Sequence, residues 1–600
     1  MAHLILSLDA LATPLVSAPP ATTPPVPMLA FKGQDRFDDP RTIEELDQLE
    51  SEVIAVAQRV RQSVVYLKTA GGGATGTAVI IRSDGLLATC GHVGRRPGRE
   101  LTAILADGTE IPGRTLGQDW GDGVDCGLAQ LDTGGRELPA VPLGTTEGLE
   151  SGDWVVALGY TQGLQEAVRP SLLRAGRVLL VNEKELYFDA PIDAGDSGGP
   201  SFNLFGEVVG LNSRCGRQSW QNVATRIDLL RDRMDALTEQ VAPSDDPSAG
   251  EDPPSRRMVG LRFPSGHQGG RDAVERSAPL ASVATSALAA TVRVLCDGRP
   301  VAFGTVIDAD GLIVTKASQL VANKPLTVRI PGDERLPARE IARDSALDVA
   351  LLRCELQPAN RAANALGTIQ WASERSIAPG TILITPRGFD RGVTYGFAAI
   401  EERESQVDLV DGPYLGVQTR AARPAELELA GADRAVVIIR VLPETAAERA
   451  GLKPGQMVLA IDDVEVGTPA ELRTTLRKHP SGQSVRIKRA IGQAASEVDV
   501  VLGRRQDSER GVRRGNTSTP ISLRSSGFGS LLPHDTVTTP DEMGGPLIDL
   551  DGNVVGMNIA RFDRTATHAI GAERMIDVCA RLREMAGQAA QPDPTSATAK

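Results

Sequence analysis

A serine, a histidine and an aspartate in the first 240 residues have the types needed for acyl transfer at a carbonyl group. The serine, Ser197, lies in the sequence Gly-Asp-Ser-Gly-Gly-Pro that covers residues 195–200. A hydroxyl group becomes a nucleophile when a base accepts its proton near neutral pH and a carboxylate orients that base. His92 is the only histidine between residues 63 and 241, so it is the candidate base.

The orienting carboxylate is assigned to Asp125. Asp122 and Asp132 compete with it, but only Asp125 precedes an apolar pair in an Asp-x-x-Leu-Ala context, which suits the start of a strand at a buried edge. The glycines on both sides of Ser197 let the backbone turn tightly and expose the hydroxyl and the amides beside it. The order His92, Asp125, Ser197 therefore predicts a catalytic triad.

A second Gly-Gly-Pro ends the sequence Asp541–Pro546, but here Met543 stands at the position of the nucleophile. A thioether has no proton to lose and cannot attack a carbonyl. Residues 304–315 have the same kind of sequence pattern as residues 76–89, although the two segments differ in length. Alignment from Gly85 and Gly311 puts Ser318 at the position of His92. Asp348 stands at the position of Asp125. The chain therefore contains an inactive second copy of the first domain.

The elements that must position these residues are mainly strands. Short β-branched runs alternate with glycine turns, and aromatic residues make up only 3% of the chain, which favours barrels or sandwiches. Thr42 with Glu45 forms a capping box for a helix that runs to Gln62. Residues 227–237 are expected to form a closing helix.

The second copy is interrupted by an insert. Asp125 and Ser197 are 72 residues apart, whereas Asp348 and Met543 are 195 apart, and the surplus has the size of a small domain. The chain is therefore divided into these predicted segments: an export signal or disordered segment at 1–40, the active first copy at 41–240, a linker at 241–282, the discontinuous second copy at 283–412 and 504–585, the insert at 413–503 and a disordered tail at 586–600.

Composition excludes some functions. A formal net charge of −13 and the lack of a dense basic face argue against nucleic-acid binding. No apolar run is long enough for a membrane-spanning helix. Residues 4–18 are apolar and end in a sequence typical of a signal-peptidase site, although Asp9 interrupts them. The six cysteines have no CxxC spacing; Cys90 and Cys126 are interpreted as buried free thiols rather than as a disulfide.

Residues 60–240 resemble the chymotrypsin-like serine endopeptidases of the HtrA/Do branch. The resemblance rests on Gly76–Ile81, on Asp84–Thr89 and on Asp189–Pro200, and the insert resembles a PDZ domain. It implies a mainly β protein with two chymotrypsin-like double β-barrel domains, the second one degenerate, and a PDZ domain inserted in the second.

The same resemblance assigns further roles. It implies that the N–H groups of Gly195 and Ser197 form the oxyanion hole, that Tyr414, Leu415, Gly416 and Val417 form the carboxylate-binding loop of the PDZ domain, and that neither a metal nor an organic cofactor is needed. The walls of the substrate pocket are expected at Ile192, Asp193, Asn212, Ser213 and Arg214. Small aliphatic residues are the implied preference.

The predicted function is a serine endopeptidase of HtrA type that cuts unfolded or damaged protein, in the periplasm or outside the cell. The PDZ domain would bind peptide C-termini, and the inactive second copy would regulate access or recruit substrate. The oligomeric state stays open. The alternative is a catalytically silent peptide-binding scaffold.

Overall fold

Strands dominate the computed structural model, which describes most of the chain between residues 40 and 589. The described residues are 40, 42–69, 75–121, 124–161, 170–239, 277–321, 324–356, 366–372, 375–388, 391–404, 413–442, 445–479, 483–504, 520–522, 524–525 and 527–589. The expected export signal, most of the expected linker and residues 590–600 of the expected tail lie outside them.

The N-terminal helix α1 (Ile43–Val60) begins at the predicted capping box. The Thr42 hydroxyl accepts from the Glu45 N–H, and the Glu45 carboxylate accepts from the Thr42 N–H. The apolar face of α1 is buried, with Leu49 and Val53 fully inaccessible to solvent. The helix touches both copies, because Arg59 donates to the Phe205 carbonyl and Glu50 accepts from the Ile382 N–H.

The first copy consists of two barrels. The first barrel contains Val64–Thr69 (β1), Thr75–Arg82 (β2), Leu86–Thr89 (β3), Glu100–Ile104 (β4), Glu110–Gly121 (β5) and Val124–Leu131 (β6), in the order β1-β2-β3-β6-β5-β4. The second contains Trp154–Gly159 (β7), Leu172–Val181 (β8), Glu185–Phe188 (β9), Pro200–Phe202 (β10), Val208–Cys215 (β11) and Asn222–Arg226 (β12), in the order β10-β11-β12-β9-β8-β7. The predicted strands at 64–67, 76–82, 155–158 and 208–211 are confirmed.

Short helices connect and close these barrels. Helix α2 (Gly91–Gly94) follows β3, and the expected closing helix at 227–237 is split into α3 (Ile227–Asp232) and α4 (Met234–Glu239). The break lies at Arg233, whose backbone leaves the helical conformation and whose guanidinium turns to Asp119 at 2.9 Å. The α4 helix packs on β5, where the Leu237 backbone leaves no room for a side chain at Gly117.

The second copy begins with α5 (Leu280–Val283) and α6 (Thr285–Ala289), so residues 277–282 of the expected linker are structured in part. Its closed barrel has the order β13-β14-β15-β18-β17-β16, as in the first copy. The strands are Thr291–Cys296 (β13), Arg299–Asp308 (β14), Leu312–Lys316 (β15), Leu326–Arg329 (β16), Arg335–Asp344 (β17) and Val349–Cys354 (β18). The next sheet starts with Ile382–Pro386 (β19), Val393–Phe397 (β20) and Arg403–Glu404 (β21).

The insert follows β21 and has its own apolar core, which includes Leu415, Ile438, Ile461 and Leu472. Its strands are Pro413–Tyr414 (β22), Val417–Ala421 (β23), Val436–Val441 (β24), Met457–Ile461 (β25), Val464–Glu465 (β26), Ser484–Ile491 (β27), Ala494–Val501 (β28) and Gly503–Arg504 (β29). Its helices are Pro424–Ala430 (α7), Ala446–Arg449 (α8) and Pro469–Leu476 (α9). The main sheet has the order β23-β24-β25-β27-β28, so β23 lies at an edge, and β22 pairs with β29 where the insert begins and ends.

The second copy resumes after the insert with Ser530–His534 (β30), Pro546–Ile548 (β31), Val554–Arg561 (β32) and Thr567–Gly571 (β33). These strands complete an open sheet in the order β20-β19-β31-β32-β33-β30-β21. Its first six strands repeat the order of the second barrel, so β20 and β30 correspond to β8 and β9. The insert therefore stands where the first copy has the short β8–β9 hairpin.

The C-terminal helix α10 (Ala572–Ala589) packs on the second copy and extends into the segment expected to be a disordered tail. Among the described helices, none combines the length and the apolar character needed to cross a bilayer. The mainly β fold predicted from the sequence is confirmed.

Candidate active site

His92 is carried by α2, directly after strand β3. The turn into this helix needs a glycine at position 91, because a Cβ there would lie 2.7 Å from the Asp119 carbonyl oxygen. The His92 N–H donates to Asp125 Oδ1 at 3.0 Å, and the imidazole Nδ1 lies 2.7 Å from Asp125 Oδ2. This leaves Nε2 as the ring nitrogen available for proton transfer, on a side chain that is 34% exposed.

Asp125 lies at the start of β6 and is almost completely buried. Besides the two bonds from His92, it accepts a hydrogen bond from the Ser213 hydroxyl at 2.6 Å. Burial acts to raise the pKa of Asp125, but the hydrogen bonds from His92 and Ser213 outweigh it and hold the pKa below its usual value. The carboxylate is therefore ionised near neutral pH and fixes the ring of His92.

Ser213 reaches Asp125 because β11 is irregular at this point. The pairing of β11 with β12 shifts register between Asn212 and Arg214. A bulge of this kind re-aims a side chain relative to a regular strand. Ser213, expected from the sequence to line the substrate pocket, thus donates to the Asp125 carboxylate.

Ser197 lies on the loop between β9 and β10. Gly195 and Gly198 on either side adopt φ values of +96° and +83°, which side chains disfavour. The Ser197 carbonyl accepts from the Thr77 N–H at 2.9 Å, and this hydrogen bond joins the two barrels. Among the described residues, neither the N–H of Gly195 nor that of Ser197 donates to a protein acceptor, so both can donate to a group that binds beside Ser197.

The loop of Ser197 packs against the segment of His92. A Cβ on Gly198 would come within 2.8 Å of the Cys90 nitrogen, and both the Gly198 N–H and the Cys90 thiol donate to the Asn212 carbonyl. Within the described part of the chain, no hydrogen bond joins Ser197 to His92. Such bonds are often long in enzymes without substrate and tighten when substrate binds.

Asp196, the residue before Ser197, is fully buried, and two contacts hold its carboxylate in place. Its Oδ2 accepts from the Asp193 N–H at 2.9 Å, and its Oδ1 lies 2.5 Å from the guanidinium of Arg174, which is also buried. The second contact is an ion pair without the geometry of a directed hydrogen bond. Arg174 also donates to the Pro191 carbonyl at 3.1 Å, so it holds both ends of the loop. No local pattern in the sequence predicts this role of Arg174.

The other residues expected in the pocket have varied surroundings. Ile192 is buried, and its N–H donates to Asn222 Oδ1. Asp193 is partly buried, and burial raises its pKa to about 6. Asn212 is fully buried and accepts from the Ser201 hydroxyl through its amide oxygen, while the Arg214 guanidinium pairs with Glu185. These contacts give Asn212 a structural role in place of the expected one.

Cys90 and Cys126 are buried free thiols, as the sequence favoured. The Cys90 sulfur, His92 and Asp125 offer ligand atoms within 4.8 Å of one another. However, burial raises the pKa of Cys90 well above its ordinary value, and a metal would need the thiolate. The donor set therefore fits a buried thiol beside His92 and Asp125 better than a metal site.

The equivalent site of the second copy keeps the carboxylate and loses the reactive groups. Ser318 donates to Asp348 from its N–H at 2.6 Å and from its hydroxyl at 2.8 Å, repeating both contacts of His92. Met543 is fully buried, and its carbonyl accepts from the Phe303 N–H as that of Ser197 accepts from Thr77. Lys316, at the position of Cys90, is buried and pairs with Asp348 at 2.6 Å.

The expected carboxylate-binding loop lies between β22 and β23. Leu415 is buried, its carbonyl accepts from the Ala447 N–H, and the Gly416 carbonyl accepts from the Leu442 N–H. Gly416 has a φ of +83°, and a Cβ there would lie 2.2 Å from the Thr445 side chain, so only glycine fits. Within the described residues, no acceptor is recorded for the N–H of Leu415 or Gly416.

Comparisons with known proteins agree with this architecture. Residues 76–211 match the trypsin-like peptidase domain, and residues 413–502 match the PDZ domain. The first half therefore carries a trypsin-like peptidase domain and the insert is a PDZ domain. This combination of a trypsin-like peptidase domain and a PDZ domain is similar to that of HtrA- or DegP-type proteases.

Several relatives have the name probable periplasmic serine endoprotease DegP-like. That of Pseudomonas fluorescens is 39% identical over 169 residues, which are 27% of this chain and 34% of the relative. That of Rhizobium meliloti is 35% identical over 171 residues, 27% of this chain and 33% of the relative. These matches span about a third of the relatives' length. A longer match, to Pseudomonas putida, is 24% identical over 425 residues, 69% of this chain and 76% of the relative.

Among solved structures, the HtrA-type protease AlgW with tripeptide is 16% identical and covers 76% of this chain and 97% of its own, with a TM-score of 0.28. The crystal structure of Deg5 is 23% identical and covers 32% of this chain and 97% of its own, also with a TM-score of 0.28.

Proposed function

We propose that this chain is a serine endopeptidase of HtrA type that hydrolyses peptide bonds in unfolded or damaged proteins. Ser197 is the nucleophile, His92 the general base and Asp125 the orienting carboxylate. The observation that carries the proposal is the 2.7 Å contact between His92 Nδ1 and Asp125 Oδ2, which leaves Nε2 to serve a serine on a glycine-rich loop. The match of residues 76–211 to the trypsin-like peptidase domain supports it.

In the first step, the Ser197 hydroxyl oxygen attacks the peptide carbonyl carbon while its proton passes to His92 Nε2. The carbonyl oxygen becomes an oxyanion, which accepts hydrogen bonds from the N–H groups of Gly195 and Ser197. Donors that are already fixed in place cost no reorganisation when the charge develops, and each is worth roughly 10²–10³ in rate. Asp125 stabilises the imidazolium without taking its proton.

Collapse of this intermediate breaks the C–N bond, and His92 gives its proton to the leaving amine. The acyl group stays on Ser197. A water molecule then attacks the ester carbonyl with His92 again as the base, and the second collapse releases the carboxylic acid and restores the Ser197 hydroxyl. Each proton thus moves through one imidazole, and water is the second nucleophile of the cycle.

The PDZ domain is proposed to bind the C-terminal end of a peptide. A peptide strand would add along β23, the edge strand of the insert, with its carboxylate on the N–H groups of Leu415, Gly416 and Val417. The positive φ of Gly416 turns the loop so that successive amides point to one side. Because the named relatives are described as periplasmic, we also propose the periplasm as the place of action.

Labelling with a fluorophosphonate tests the catalytic proposal, because such reagents react with activated serines. We expect the full-length protein to be labelled and to degrade denatured casein, and the Ser197→Ala variant to do neither. Met543 offers no hydroxyl, so no label should remain on the second copy. Absence of labelling in the wild type across pH 6–9 would favour the silent scaffold instead.

The peptide-binding proposal is tested in the Ser197→Ala background, which prevents cleavage. Fluorescent peptides with apolar C-terminal residues should bind, whereas the same peptides with an amidated C-terminus should not, because they lack the carboxylate. Equal binding of both forms would show that the loop at Gly416 does not recognise the peptide end.

A further inference from the structure

A turn of the second copy is buried against the first copy. The hairpin turn between β32 and β33, residues Phe562–Ala566, has every side chain buried. Hairpin turns normally face solvent, because their backbone groups need partners. Here the turn supplies its own partners, since Asp563 accepts from the N–H groups of Thr565 and Ala566 and Arg561 donates to the Arg564 carbonyl at 2.6 Å.

The rigid turn presents Arg564 to the first copy. The Arg564 guanidinium donates to the carbonyls of Ile192, Gln218 and Gln221 and to Asn222 Oδ1, the last at 2.8 Å. Asn222 Oδ1 in turn accepts from the Ile192 N–H. Arg564 therefore ties the start of the loop that carries Ser197 to the neighbouring turn at residues 218–221. A planar guanidinium suits this task, since it offers several donors in a fixed geometry.

A second set of contacts from the second copy acts on the same loop through strand β8, which contains Arg174. Asp535 of the second copy accepts from the Ala175 N–H at 3.1 Å, and the Ala399 carbonyl accepts from the Leu173 N–H at 3.1 Å. These contacts hold the backbone on both sides of Arg174. Arg174 then pairs with Asp196, the residue before the nucleophile.

We propose that the second copy is a built-in activator of the first, and that Arg564 and Asp535 are positioning residues that hold residues 191–197 in the arrangement required for catalysis. The inference rests on the proposed peptidase function. In this proposal the second copy needs no reactive group, because it acts only through the contacts of Arg564 and Asp535 with the first copy. Neither residue touches the reacting atoms; both act through the loop that presents the N–H groups of Gly195 and Ser197.

The proposed variants differ in which contacts between the two copies they remove. Arg564→Ala removes all four contacts, and Arg564→Lys keeps the charge with fewer donors. Asp535→Asn is isosteric, but both oxygens of Asp535 accept backbone N–H groups, from Phe397 and Ala175, so an amide nitrogen would face a donor. Arg581→Ala removes an ion pair within the second copy, 2.9 Å from Asp344, and serves as the control.

The experiment measures kcat and KM for a fluorogenic peptide with full-length protein, per active site counted by exhaustive fluorophosphonate labelling. Loss of stability alone lowers the number of sites but not kcat per site. We expect kcat per site to fall about 10–100-fold in Arg564→Ala, since a misplacement of about 1 Å has effects of that size. Arg564→Lys and Asp535→Asn should fall less, and Arg581→Ala should match the wild type.

Two outcomes overturn the inference. The first is a kcat per site within twofold of wild type in both Arg564→Ala and Asp535→Asn; if Arg564→Ala does not fold, Arg564→Lys takes its place. The second is an equal fall in Arg581→Ala, which would mean that any disturbance of the second copy lowers activity. A wild type that neither labels nor cleaves would instead defeat the proposed function, so the two failures are distinct.

Discussion

The ammonium group of Lys316 lies 2.6 Å from the carboxylate of Asp348, and both side chains are buried. Lys316 stands where the first copy has Cys90, beside the serine that replaces the histidine. Asp348 thus faces a buried lysine side chain, whereas Asp125 faces the imidazole of His92. The carboxylate of the second copy is therefore part of a buried ion pair.

Restoring the nucleophile alone should not restore activity to the second copy. In the double variant Ser197→Ala with Met543→Ser, the new hydroxyl would face Ser318, which cannot accept a proton near neutral pH. We expect no fluorophosphonate labelling and no casein cleavage above the level of Ser197→Ala. Turnover that depends on the serine at position 543 would contradict the assignment of this copy as inactive.

Removing the cation should strongly destabilise the second copy. Lys316→Met leaves Asp348 buried without its partner, and breaking a buried pair in this way costs about 3–5 kcal/mol. Adding Asp348→Asn should recover much of this loss, because an amide oxygen still accepts from Ser318 and carries no charge. Urea unfolding of both variants measures the difference. Equal stability of Lys316→Met and the wild type would show that the ion pair contributes little.

Local patterns sufficed to predict the barrels and the contact between His92 and Asp125. Alternating β-branched runs and glycine turns specify strands such as β1 and β7, and the segments around His92, Asp125 and Ser197 each follow a strand or begin one. The prediction that Ser318 corresponds to His92 is confirmed, because the two copies were aligned from the turn glycines Gly85 and Gly311. Gly76 and Gly304, in the preceding strands, are not equivalent, because the backbone of Phe303 makes the hydrogen bonds that the backbone of Thr77 makes in the first copy. Gly304 therefore corresponds to Ala78.

Contacts between distant segments could not be predicted in this way. Arg564 and Ile192 are 372 residues apart, and no periodicity in the sequence records that their segments meet. Ser213 was assigned to the pocket because its place in the chain fits a pocket wall; the bulge that turns its hydroxyl to Asp125 depends on pairing with β12. The sequence predicts an insert at 413–503, but its place at the equivalent of the β8–β9 hairpin follows from strand pairing, in which β20 and β30 correspond to β8 and β9.

The contact between α1 and the second copy should make stability depend on pH. Burial raises the pKa of Glu50 to about 7, with further contributions from Asp47, Asp549 and Asp551, although the Ile382 N–H opposes the shift. A carboxyl group with a raised pKa in the folded chain favours folding at low pH. This contribution is lost as the pH rises from about 4.5, the ordinary value, to about 7.

Glu50→Gln should therefore stabilise the protein at pH 8, by about 1–3 kcal/mol, and by less than about 1 kcal/mol at pH 5. The glutamine oxygen can still accept from the Ile382 N–H. Urea unfolding at the two pH values measures the effect, with the exposed Glu584→Gln as a control for the change in net charge. A difference between Glu50→Gln and wild type that does not change with pH would contradict the prediction.

Asp125 offers the sharpest test of the proposed triad, because the isosteric change to asparagine alters its hydrogen bonding and removes its charge while keeping its shape. In Asp125→Asn, the amide nitrogen would face either the His92 ring or the Ser213 hydroxyl, and the ring would lose the tautomer that leaves Nε2 as the base. We expect kcat to fall by roughly 10⁴-fold with the fold retained. Asp132→Asn is the matched control, since Asp132 competes with Asp125 in the sequence but is exposed on the first barrel. A loss of activity in Asp132→Asn with little change in Asp125→Asn would reverse the assignment, because the carboxylate that orients His92 must be the one whose replacement removes catalysis.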